Sequence, residues 1–119
     1  MPEAIPRQLK DYERPDGIKP FQEWIYQVKE KDPSTAVKIY SYVDRIQLGN
    51  MSNAKLLPGC EGVWELVMDF GPGWRVYFAQ AGAVIILLLC GGQKRGQQKD
   101  IQTAVEYWRE FKRRNGRQS

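Results

Sequence analysis

Residues 62–95 read GVWELVMDFGPGWRVYFAQAGAVIILLLCGGQKR, and the reading of this stretch decides the fold. Its first run alternates strictly. Trp64, Leu66, Met68 and Phe70 share one face, and Val63, Glu65, Val67 and Asp69 the other, which is the period-2 signature of a strand with one buried face. Gly71-Pro72-Gly73 supplies a turn, because glycine admits positive φ and proline fixes its own. If these three residues form the hairpin loop, Asp69 lies opposite Arg75, Met68 opposite Val76 and Val67 opposite Tyr77. That register gathers Val76 and Phe78 with the apolar set and leaves Glu65, Asp69, Arg75 and Tyr77 together on the other side. A one-residue slip would mix the two sets. The third run, residues 83–90 (AVIILLLC), is apolar throughout and reads as a central strand covered on both faces. It is far shorter than the roughly 20 residues a membrane span needs. Gly91-Gly92-Gln93-Lys94-Arg95 follows, read as a flexible loop carrying two cations at the strand end.

Outward from this centre, residues 4–13 suit an edge strand, with Pro6 favouring the edge. Phe21, Trp24, Ile25 and Val28 fall at helical spacing up to about Lys31, with Pro20 in the first turn. Asp32-Pro33-Ser34 caps a second helix, predicted to turn Val37, Tyr40, Val43 and Ile46 or Gln47 inward and to end at Gly49-Asn50. Residues 51–61 read as a loop. A last helix, about 98–113, carries Ile101, Ala104, Val105, Trp108 and Phe111 on one face. Residues 115–119 read as a frayed end. The expected architecture over residues 1–119 is a single α+β domain. It comprises a small, curved, mostly antiparallel sheet, an N-terminal helical hairpin and a C-terminal helix, the helices lying on the sheet's core face.

Composition narrows the chemistry. The chain of 119 residues has no histidine, which removes the commonest general base and metal ligand, so neither a metal nor a cofactor is expected. Cys60 and Cys90 form no Cys-x-x-Cys pair, and Cys90 closes a buried run, which suits a structural thiol in a reducing cytoplasm. No membrane segment or leader is evident. The net charge is +4, and residues 91–119 hold eight cations against three carboxylates, so all the positive excess follows the central strand. Such asymmetry points to an acidic partner, a nucleic acid or an acidic protein segment.

Three segments carry a resemblance: Gly71-Pro72-Gly73-Trp74-Arg75-Val76-Tyr77-Phe78, Leu87-Leu88-Leu89-Cys90-Gly91-Gly92-Gln93-Lys94, and Gln98-Lys99-Asp100-Ile101. Together they resemble the addiction-module killer proteins of the RelE/ParE/HigB superfamily of type II toxins. Phe21, Trp24-Ile25, Asp44-Arg45 and Gly49-Asn50 fit the same pattern, so the likeness covers nearly the whole chain. It implies a RelE-like fold and a cytoplasmic toxin restrained by a cognate antitoxin, expected to be a helix-turn-helix protein. RelE-like members act on the ribosome and its mRNA as endoribonucleases, whereas ParE-like members poison gyrase. A degenerate member would only bind its antitoxin, and the shared fold does not choose among the three.

For the nuclease, the resemblance implies attack of a ribose 2′-OH on its own 3′ phosphate. That step needs stabilisation of charge on the phosphate oxygens and proton transfer at the 2′ and 5′ oxygens. It assigns phosphate contact to Arg75 and a catalytic or substrate-orienting cation to Lys94 or Arg95. Lys55, Tyr77, Lys99 and Asp100 are the candidate substrate-binding residues, Tyr77 by stacking on a base. Asp100 also suits a helix N-terminus for electrostatic reasons alone. Where RelE carries lysines on the strand before the turn, this chain has Glu65, Val67 and Asp69. Glu65 or Asp69 is then a candidate general base, or the pair merely neutralises Arg75.

Overall fold

A computed structural model describes residues 6–116. Ala4 and Ile5 of the expected edge segment, and Arg117 to Ser119 of the expected frayed end, lie outside the described residues. The chain runs β1 (Gln8–Asp11), α1 (Pro20–Lys31), α2 (Pro33–Gln47), β2 (Ala54–Leu56), β3 (Val63–Met68), β4 (Trp74–Ala81), β5 (Ile85–Gln93), a 3₁₀ turn (Lys94–Gly96) and α3 (Gln97–Asn115). The five strands form one open sheet in the order β1-β5-β4-β3-β2. β1 runs parallel to β5 and the other pairs are antiparallel. The α+β architecture with a helical hairpin and a C-terminal helix is as expected. β2 is an addition, an edge strand within the segment read as loop and too short to show a period.

The helical hairpin forms where the caps put it. Asp32 accepts hydrogen bonds from the Ser34 amide (3.2 Å) and the Thr35 hydroxyl (2.8 Å), and Pro33 opens α2. The inward face of α2 differs from expectation: Ala36, Ile39, Val43 and Ile46 are buried, while Val37 and Tyr40 are exposed. A helix rich in apolar residues admits neighbouring phases, and Ile39 won the inward position over Val37.

The β3–β4 register is a second correction. Arg75 pairs with Val67 and Met68 with Trp74, so the connection is five residues long and Arg75 sits two residues from its expected place. Gly71 and Gly73 both take positive φ in this turn. A two-residue offset preserves every face, so the partition of side chains holds.

A third correction concerns layers. Leu66, Met68, Val76, Phe78, Ile86 and Leu88 pack against α1 and α2. The opposite face carries Val63, Tyr77, Ala79, Leu87 and Leu89 beneath Ala104 and Trp108 of α3. The helices therefore cover both faces, which the apolar run of β5 up to Cys90 requires.

Candidate functional site

On the central strands β3, β4 and β5, the face beneath α3 is apolar except toward the β3–β4 turn. There one row runs across three strands: Lys55 of β2 pairs with Glu65 of β3, and Glu65 with Tyr77 of β4. Paired residues share a face, so alternation alone brings these three side chains together. Glu65 is fully buried. Its Oε2 accepts hydrogen bonds from the Tyr77 hydroxyl (3.1 Å) and from Nε2 of Gln97 at the start of α3 (2.7 Å). Lys55 Nζ lies 3.5 Å from Oε1, and Arg75 Nε lies 3.8 Å from Oε2. Arg75 is itself buried, and its Nε has no hydrogen-bond partner, so Glu65 meets it as a counter-charge. Its Nη1 donates to the Trp74 carbonyl (3.3 Å).

The next row holds Arg75 against Gly92 of β5. On the other side of the Tyr77 row β5 carries a bulge: Tyr77 pairs with Cys90 and Phe78 with Leu88, leaving Leu89 unmatched. The extra residue re-phases the strand end. Leu89 and Cys90 both face the α3 side, and beyond them Gly91 turns to α1 and Gly92 to α3. A Cβ at 91 would lie 2.7 Å from Trp24 Cδ2 and nearer still to two other ring atoms. At 92 it would lie 3.0 Å from Asp100 Cγ and overlap Oδ2. The glycine pair is thus strand, not the expected loop, and it is bare because an indole packs on one side and a carboxylate on the other. Asp100 therefore packs over Gly92, the strand residue paired with Arg75. Burial raises its carboxyl from the ordinary value, and Lys99 partly opposes the shift. Burial likewise pushes up the Tyr77 hydroxyl, helped by Glu65, and the Cys90 thiol.

Arg75 also borders an open cavity of about 470 Å³ at the β3–β4 turn, shared with Asp69, Gly73 and Lys94. Lys94 is brought there by the 3₁₀ turn, whose first amide donates to the Gly73 carbonyl (2.7 Å). Bare Gly73 lets this happen, since a Cβ there would lie 3.1 Å from Lys94 Cβ and 3.5 Å from Arg75 Nη1. The cavity thus joins two cations and one exposed carboxylate.

The candidate residues sort accordingly. Arg75, Lys94 and Asp69 surround the cavity, and Lys55, Glu65, Tyr77 and Asp100 form the cluster behind it. Arg95 and Lys99 are exposed and are not among the residues lining the cavity. Tyr77 is fully buried, so its ring offers no stacking face to a ligand, contrary to its expected role. Gln97 was missed. Nothing in its sequence context distinguishes a glutamine that reaches a buried carboxylate from one that meets water. Cys60 and Cys90 are free thiols, and no metal-holding cluster of His, Cys, Asp or Glu occurs among the described residues.

No family model matches the chain. It is 38% identical over 84 residues to an uncharacterized protein of Haemophilus influenzae, an alignment covering 71% of this chain and 81% of that protein.

Proposed function

The chain belongs to one family with that Haemophilus influenzae protein, and we propose that it is the cytoplasmic toxin of a type II toxin–antitoxin module, a ribosome-dependent mRNA endonuclease of RelE-like type. The observation that carries the reading is the meeting of Arg75 and Lys94 at one open cavity, with a carboxylate, Asp69, on its rim. An arginine fork suits phosphate oxygens, and a neighbouring ammonium adds a mobile point charge. In this mechanism Arg75 and Lys94 bind the scissile phosphate and stabilise charge as the 2′ oxygen attacks phosphorus and the bond to the 5′ oxygen breaks. Asp69 accepts the 2′ proton, and the Lys94 ammonium donates a proton to the leaving 5′ oxygen. The products are a 2′,3′-cyclic phosphate and a free 5′-hydroxyl.

Glu65 has a different part in this reading. A fully buried carboxylate with two donors on one oxygen is held rigidly, and it orients Arg75 from behind. No described helix is long and apolar enough to cross a membrane. A second reading, a toxin that only binds its antitoxin, draws on the same carboxylate, because the Glu65 charge offsets Arg75. Inducing the protein in cells and mapping mRNA 5′ ends tests the proposal. Cuts within translated frames that vanish when translation is blocked support it. Growth arrest without cuts, or no phenotype, removes the nuclease.

A further inference from the structure

On the other side of the β3–β4 turn lies a second cavity, of about 430 Å³, walled by Trp24 of α1, Trp74 of β4 and Phe70 of the turn. The three rings are only half buried, packing on the core and also lining the cavity. Phe70 stacks besides on Tyr42 (centroids 6.1 Å) with the Lys38 ammonium over its ring, so the two indoles are the rings left to meet a ligand. Trp24 and Trp74 meet edge to face with centroids 6.0 Å apart, leaving an aromatic cleft rather than a closed stack. Gln27 and Gln93 border it, and their amides offer both donors and acceptors. Phe70, Gly71 and Pro72 line this cavity and the Arg75–Lys94 cavity alike, so the two adjoin across the lip of the turn. The lip carries no bulky side chain at Gly71, where a Cβ would crowd Trp74 Nε1 at 3.2 Å.

We propose that the aromatic cavity is a nucleobase subsite, taking the base that flanks the phosphate held by Arg75 and Lys94. A nucleic-acid strand crossing the lip presents its phosphate to the cationic side and its neighbouring base to the rings. Base–aromatic stacking is sequence-tolerant, while the two glutamine amides supply a means of preferring one base edge over another. The inference rests on the RNA-directed reading above, because it takes the adjoining cavity as the phosphate site.

The test uses the full chain at low salt and fluorescein-labelled 2′-O-methyl tetraribonucleotides of A, C, G or U, which cannot undergo 2′ attack. A tetramer of abasic residues with the same phosphates is the control, and anisotropy is the readout. At least one base-bearing tetramer is expected to bind about tenfold more tightly than the abasic one. Trp74→Ala should erase that advantage without changing abasic binding, and Trp74→Phe should keep it. Base-bearing and abasic tetramers that bind equally well, each losing affinity in Arg75→Ala, would overturn the base subsite and leave the phosphate site standing. An advantage that survives Trp74→Ala would also overturn it. Absence of binding by every tetramer would overturn both the subsite and the reading it rests on.

Discussion

Removing the Glu65 carboxylate isolates the electrostatic centre of the site. In Glu65→Ala, Arg75 keeps its charge, with a side chain only 9% exposed, and loses the counter-charge 3.8 Å from Nε. The Tyr77 hydroxyl and the Gln97 amide lose their shared acceptor in the same step. Breaking a buried pair by deleting one partner costs about 3–5 kcal/mol. The orphaned donors add to this, but not additively, since Arg75 can turn toward the open cavity. A net loss of about 3 kcal/mol is a large part of the roughly 5–15 kcal/mol that stabilises a domain. With a urea dependence of about 1–3 kcal/mol per M, the unfolding midpoint should fall by at least about 1 M. Glu65→Leu combined with Arg75→Met removes both charges and should recover most of the loss, because an apolar pair needs no desolvation of ions. Urea titration followed by circular dichroism measures all three proteins. Should Glu65→Ala match wild type within about 0.3 M, or the double variant be no more stable than Glu65→Ala, Glu65 would not be the group that holds Arg75 in place.

Gly91→Ala should destabilise by about 2 kcal/mol through overpacking against the Trp24 ring, and Trp24→Leu in the same chain should recover part of it in urea melts. Asp100 predicts a pH dependence. Its carboxyl is raised by burial, so its contribution to stability is fully present below the unfolded carboxylate pKa of about 3.9 and is lost as pH rises through the higher folded value. Wild type should therefore lose ground to Asp100→Asn across that window, and parallel midpoint-against-pH curves would contradict the assignment.

The alternation of residues 63–70 was sufficient to sort Trp64, Leu66, Met68 and Phe70 from Glu65 and its neighbours, because a period of two survives any even error in register. The register itself depends on turn length, and Gly71-Pro72-Gly73 marks where the chain bends without saying that Asp69 and Phe70 belong to the loop. The side of the sheet that α3 covers was implied by the apolar run before Gly91, which needs burial on both faces. Glu65, Arg75 and Tyr77 on one of those faces disguised it as solvent-facing. The bulge at Leu89 left no trace in the residue types, so Gly91 and Gly92 read as a flexible loop instead of a strand packed closely on both sides. The cationic cavity was more legible than the cluster behind it. Arg75 and Lys94 follow a turn and a strand end, and such junctions place side chains at an edge whatever the details, whereas the grip of Gln97 on Glu65 depends on where α3 settles.

The most direct measurement compares mRNA 5′ ends after induction of wild type and of Arg75→Ala, with circular dichroism confirming that the variant is folded. The account predicts translation-dependent cuts in wild type and at least a hundredfold fewer in the variant, the scale of losing a main contact to charge developing in the transition state. Undiminished cutting by folded Arg75→Ala would contradict it.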